Sequence, residues 1–389
     1  MFKVLILLFF SLSLCANSSI LKAFENGNVD LQMQLFYYNI DKKNDTDAYA
    51  TSAGGYLKYS TDTKNSFFAS VRFHTSNPTF DSINREKTAL FKKDGTALTT
   101  ISESYLAYKT QTRILRVGSF IINTPMMNDD DSRIMPWSYR GFTYTGESIK
   151  DLKVQLYYID ALRSNTSDKY QKQTPSGEFD NITMFSLHYN GLSGLKTEFY
   201  YYYVPDLYST FVAQSDYEMT LNTDTLICFS AQYFKSGNGG VYVRKDTNNG
   251  ADDINLVALR SSIDAKDYSL SLNYSQNFGL SGVVTGYGGS AKVYTTSMMA
   301  NGRGAFKPET WMLKATHDLN LGDFHSEVAL TLTNTQTKDK RGDDFNAYYF
   351  HFKHFFTKEA SIYLRYESLK FSSSKKDANY FRAIATYKF

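Results

Sequence analysis

The chain has 389 residues, a formal charge of +3 and a negative mean hydropathy, yet 16% of it is aromatic and 31 residues are Tyr. Much Tyr with little hydropathy is a poor recipe for a soluble core, and a charge this near balance gives no electrostatic grip on nucleic acid. Of the two cysteines, Cys15 falls in an N-terminal leader and Cys228 stands alone after it, which excludes an intrachain disulfide.

The leader comes first. Lys3 supplies a positive start, Val4–Leu14 is apolar, and Cys15-Ala16-Asn17-Ser18 offers small residues for cleavage. Residues 1–18 therefore read as a signal peptide cut after Ala16 or Ser18. Its apolar run is well short of the ~20 residues a spanning helix needs. Cys15 raises lipidation as an alternative, against which stands the bulky Leu14. Residues 19–389 read as one unit, with no later apolar stretch near that length.

Beyond the leader the chain alternates with period two. Val29, Leu31, Met33, Leu35 and Tyr37 interleave with Asp30, Gln32 and Gln34; Phe67, Ala69, Val71 and Phe73 with Ser70, Arg72 and His74. The pattern returns at Leu152–Tyr158, Tyr268–Ser275, Val328–Thr333, Tyr348–Lys353 and Ile362–Glu367. Connections alternate in length. Lys150-Asp151, Asp264–Lys266 and Thr357–Glu359 are short, whereas Asn123–Ser138, Leu162–Asp180 and Phe278–Pro308 are long. Short turns at one end and long loops at the other are the asymmetry of an outer-membrane barrel. The scarcity of Pro, 6 in all, fits ladder hydrogen bonding. The fold class is all-β: a transmembrane antiparallel β-barrel of about 18 strands, or 16 if 205–225 holds no pair. The last strand points the same way. Phe381, Ala383, Ala385, Tyr387 and Phe389 share one face, while Arg382, Thr386 and Lys388 share the other with Ile384. A terminal aromatic on an alternating strand reads as a barrel-assembly signal.

Residues 116–141 carry a more particular pattern: Thr124-Pro125, then Asp131, Arg133, Pro136 and Gly141. This resembles the third-loop region of the OprD-type substrate-selective porins. Tyr287–Met299 resembles that family's seventh loop, and Val204–Tyr208 is a shorter similarity. Trp137 departs from the pattern, where a smaller polar residue is expected, and the loops are short. The resemblance implies a bacterial outer-membrane barrel, monomeric or loosely trimeric. It also implies a pore narrowed by an inward loop near 123–138, with basic residues along one wall.

The residues support that picture independently. Arg72, Arg116, Lys153, Lys314, Lys353, Arg365, Arg382 and Lys388 all take the water-facing phase of their strands. The alternative is a charge against lipid at mid-depth, which costs about 2–4 kcal/mol. Asp129, Asp130 and Asp131 on the loop, with Arg133, then face a basic wall, and the resulting transverse field orients small zwitterions or carboxylates. The competing readings are a solvated loop and, with Asn128, a weak calcium site. The Tyr200–Tyr203 run reads as girdle plus wall. Expected partners are outer-membrane lipid and small solutes, with no cofactor. The functional reading is a porin for amino acids or organic acids; a general diffusion pore, a surface adhesin and a barrel enzyme are the alternatives. For the enzyme, the six His form no Ser-His-acid cluster readable from spacing.

Overall fold

A strand that is apolar on alternate residues can satisfy its backbone in lipid only by pairing on both sides. The computed structural model describes residues 18–130, 132–172, 181–205, 208–238, 254–279, 287–300, 307–321, 324–338 and 342–389. A helix, α1 (Ser18–Glu25), precedes eighteen strands. The first six are β1 (Asn28–Lys42), β2 (Ala48–Ser60), β3 (Phe67–Ile83), β4 (Leu98–Lys109), β5 (Arg113–Phe120) and β6 (Ser138–Ile149). Next come β7 (Leu152–Arg163), β8 (Ile182–Leu192), β9 (Leu195–Val204), β10 (Tyr208–Asn222), β11 (Thr225–Asn238) and β12 (Asn255–Ala265). The last six are β13 (Tyr268–Asn277), β14 (Pro308–Leu321), β15 (Phe324–Thr337), β16 (Phe345–Phe355), β17 (Ala360–Phe371) and β18 (Ala378–Lys388).

Each strand pairs antiparallel with its sequence neighbours, and β1 pairs with β18 from Gln32–Lys388 to Lys42–Ala378. That seam closes the ring. No helix among the described residues is long and apolar enough to cross a membrane. The stretch 205–225, which leaves 16 strands open from sequence, contains β10 and a tight turn before β11, and the count is 18. β3 runs on to Ile83, so the connection after it begins at residue 84. The leader expectation falls on residues 1–17, outside the described residues, and on the first residue of α1.

Phase decides exposure. On β1, Val29 is 58% exposed and Met33 48%, while Phe36 and Tyr38 on the other phase are buried. Tyr201 and Tyr203 face outward; Tyr200 and Tyr202 face inward and stack. Buried apolar side chains on the luminal phase require something inside the barrel to cover them. Loops do so. Connection L2 (84–97) brings Leu90 and Phe91, L3 (121–137) brings Met126, Met127 and Ile134, and L7 (278–307) brings Tyr287, Val293 and Ala300. Ile384, the apolar residue on the polar face of the last strand, belongs to this packing.

A closed, fully hydrogen-bonded barrel resists detergent until heated. The protein is expected to run faster on a gel unheated than boiled, with β-dominated far-UV circular dichroism. Identical mobility before and after boiling, or a helical spectrum, would contradict the closed ring.

Candidate functional site

L3 enters the barrel through a tight turn in which Thr124 N–H donates to the Met127 carbonyl at 2.7 Å and Thr124 Oγ1 at 2.9 Å. The Met126 amide reaches Tyr202 Oη on the luminal face of β9 at 3.4 Å. Asn128, fully buried, joins L3 to L7: its Nδ2 donates to the Ser290 carbonyl at 2.6 Å, and its Oδ1 accepts from Ser290 N–H at 3.1 Å. The neighbouring Gly289 has φ +77°, and a Cβ there would meet Asn128 Oδ1 at 2.3 Å. Only glycine fits that approach. Lys292 N–H donates to the Pro125 carbonyl at 2.9 Å, and Tyr139 O–H to the Asn128 carbonyl at 3.1 Å. Gly141, from the family-like pattern, lets β6 close on β7, since a Cβ would lie 1.9 Å from the Tyr158 carbonyl oxygen. Trp137, the departure from that pattern, packs beside Gly288 of L7, with its amide on the Asp129 carbonyl at 2.8 Å.

The far ends of both loops meet the seam. Arg133 donates from Nε to the Thr88 carbonyl of L2 at 3.0 Å and lies 4.7 Å from the Tyr38 ring centroid. Arg382 lies 4.6 Å from the same ring and reaches Met299 Sδ of L7 at 3.3 Å. Glu367 on β17 accepts from Ser297 Oγ–H and from the Met299 amide, both close contacts, and so straps L7 to the wall. Arg163, fully buried, donates to the Pro136 carbonyl at 3.0 Å and to the Ser167 carbonyl at 2.9 Å, fastening L3 to L4 (164–181). Outside the membrane, Lys92 and Asp168 join L2 to L4 at 2.7 Å, and that hydrogen bond holds the Asp168 carboxyl below its usual range. The tie is present above the ordinary carboxylate range and lost as pH falls through the lowered value.

The basic residues singled out from sequence all take luminal phase, but they differ in partners. Arg72 pairs with Glu103 at 2.7 Å, and Lys58 approaches the same carboxylate at 3.6 Å. Arg365 donates to Tyr349 Oη at 2.9 Å, and Lys353 lies over the Phe355 ring. Arg382 is 1% exposed, covered by the loops. Lys388 is exposed at the short-turn mouth. Arg116 touches the Tyr105 ring and leaves a buried Nε without a hydrogen bond. Lys153 and Lys314 make no hydrogen bond or ion pair among the described residues. On the loop, Asp130 turns the chain with φ 53°, its amide on Asn128 Oδ1 at 3.2 Å, and its charge lies near Arg133. Asp131 lies outside the described residues.

Beside L3 opens a luminal cavity of about 680 Å³ whose lining includes Pro125, Lys153, Glu198, Asp216, Arg260 and Lys292. Arg260 pairs with Asp216 at 2.9 Å. Sequence reading misses Arg260, Glu198 and Asp216. β12 is apolar on both phases near its start (Leu256, Val257, Ala258, Leu259), which hides the alternation that would have placed Arg260. The wall also holds a Ser-His-acid set that spacing does not disclose. Ser186 Oγ lies 3.1 Å from His188 Nε2, and His188 Nδ1 lies 2.9 Å from Glu198 Oε1. Ser186 is fully buried, and its hydroxyl also reaches Gln155 Oε1 at 3.3 Å, so no acyl carbonyl can approach it. The set is a wall network rather than a nucleophile with its base.

Solved structures share this fold. Acinetobacter baumannii OccAB2 superposes with a TM-score of 0.80 at 17% identity, covering 95% of this chain and 99% of that one. Acinetobacter baumannii OccAB4 gives 0.81 at 17%, covering 93% and 98%. Pseudomonas aeruginosa OpdK, solved with vanillate, gives 0.79 at 17%, covering 94% and 99%. No curated protein matches. The family model for outer membrane porins of the OprD family matches residues 23–389. That match removes the enzyme reading, and with eighteen paired strands and loops folded into the lumen, the chain belongs to the OprD family of bacterial outer-membrane porins.

Proposed function

We propose that this porin passes small solutes bearing a carboxylate, amino acids ahead of simple organic acids. The observation that carries the reading is that Arg116, Lys153 and Lys314 have no carboxylate partner among the described residues, on a wall where Arg72 and Arg260 are matched. An unmatched cation in a narrow, partly wet lumen is an anion site. In water-like surroundings each is worth about 1 kcal/mol at contact, strong enough to recruit a carboxylate and weak enough to release it. Lys153 shares its cavity with Glu198 and Asp216, which offer an amine a place within reach of the same solute. The loop aspartates Asp129 and Asp130, with Arg133, are proposed to add to that field; Asp131, proposed from sequence with them, lies outside the described residues. The covered Arg382 is proposed to act on solutes only through the loops it holds. OpdK, a fold relative, was solved with vanillate, itself a carboxylate, which accords with this class.

Liposome swelling with amino acids, organic acids and neutral sugars of matched size tests the reading directly. Carboxylates should enter faster; equal rates for sugars would reduce the protein to a general diffusion pore. In planar bilayers, Lys153→Gln should lower anion-over-cation permeability by roughly fivefold, the loss of about 1 kcal/mol of attraction, and adding Arg116→Gln should lower it further. An unmoved reversal potential would make those two cations scaffold.

Aperture is a separate matter from charge. Glu367→Ala removes the acceptor that straps L7 to β17, so single-channel conductance should rise and become noisier, with the unheated gel shift retained. Glu367→Gln keeps an acceptor oxygen and should lie between. Unchanged conductance in both would show that L7 is held without Glu367.

A further inference from the structure

We infer that α1 is an interfacial anchor that lies in the headgroup region of the periplasmic phospholipid leaflet, on the outer side of the barrel's short-turn rim. The helix occupies that side because Tyr59 holds it there. Tyr59 pairs with Val29 in the outward phase of β2, and its hydroxyl donates to the Phe24 carbonyl at the helix end. The Asp62 amide, in the turn after β2, donates to the Ala23 carbonyl at 2.9 Å. α1 is thus fastened by its backbone to the rim, and Ala23 is its contact with the barrel.

Its sequence divides cleanly. At about 100° per residue, Ala23, Phe24 and Leu21 fall in one half of the helical wheel, and Glu25 and Lys22 in the other. Only part of the apolar half is covered: Leu21 is 51% exposed and Phe24 43%. Two large apolar residues three apart on a fastened helix would be a liability in water. Here they continue a surface already committed to lipid. Val29, Phe67 and Phe389 lie exposed on the same rim, Phe67 packs on Tyr108, and Tyr387 on Phe389. The exposed Lys22 on the polar half is placed to meet phosphate. An amphipathic split with a charged polar face suits a helix lying in a membrane interface.

The test places a fluorophore on the apolar half. Phe24→Cys, in a Cys228→Ser background, is labelled with an environment-sensitive nitrobenzoxadiazole and the mature barrel is folded into phospholipid vesicles. Labels at Lys64, in the turn, and at Lys22 serve as aqueous-side comparisons, and the unheated gel shift confirms folding. The Phe24 label should be several-fold brighter than that at Lys64. Phospholipids with a shallow nitroxide should quench it more than those with a deep one, and aqueous iodide should quench it least. Iodide quenching equal to that at Lys64, without quenching by lipid, would overturn the inference. Protection that grows with protein-to-lipid ratio, with energy transfer between labelled copies, would overturn it in favour of a second copy. Either result leaves the solute reading untouched, because permeation is not measured.

Discussion

A β-sheet in lipid has no water to satisfy its edge, and the rest of this molecule is a consequence of that constraint. The first strand must find the last, and the Gln32–Lys388 to Lys42–Ala378 register does so. Closing eighteen strands satisfies the backbone but leaves an interior wider than side chains can fill. Discrimination among small solutes then requires material added from the loops. Loops in an aqueous interior stay only if they bury apolar surface, so parts of the luminal phase must be apolar. That is why Phe36, Tyr38, Met184 and Tyr202 face inward on a wall otherwise made of Ser, Thr, Gln and charged residues.

The charged residues of the wall divide between two tasks. Glu367 holds amides and a hydroxyl of L7, Arg163 holds carbonyls of L3 and L4, and Arg382 and Arg133 flank Tyr38 where L3 and L7 meet the seam. Arginine suits this because its planar fork keeps its charge and meets several carbonyls or a ring face at once. Arg116, Lys153 and Lys314 have no carboxylate partner among the described residues. A wall in which every cation had a carboxylate would be a dielectric lining with no preference; one in which none did would repel itself and hold anions too long.

The fold was almost fully legible because period two is a one-dimensional signal. Each of the eight basic residues read as luminal is luminal, since a register slip of one would have put Leu and Phe in water along the whole strand. Partners were not legible. Glu103 lies on β4, across from Arg72 on β3, but nothing in spacing says that Lys58 joins it. Loop contacts are further still from sequence: the Asn128 side-chain amide meets Ser290 across more than a hundred and fifty residues, at backbone groups that every residue possesses. The Ser186-His188-Glu198 array makes the same point in reverse. Its members sit on neighbouring strands, where geometry brings a triad-like set together and burial of the hydroxyl denies it a substrate.

The packing at the seam also bears on the order of assembly. One cluster takes Phe36 and Tyr38 from β1, Ile134 from L3, Ala300 from L7, and Tyr380 and Ile384 from β18. These come from the two ends and the middle of the chain, so bringing them together carries the full entropy of closing its largest loop. The loop ends at the seam complete their docking surface only when β18 has reached β1. The joint between L3 and L7 rests instead on β8–β12, against Met184, Tyr202, Val212, Phe234 and Leu256. One half of the constriction therefore has its support before the ring closes, and the other half gains its support with closure.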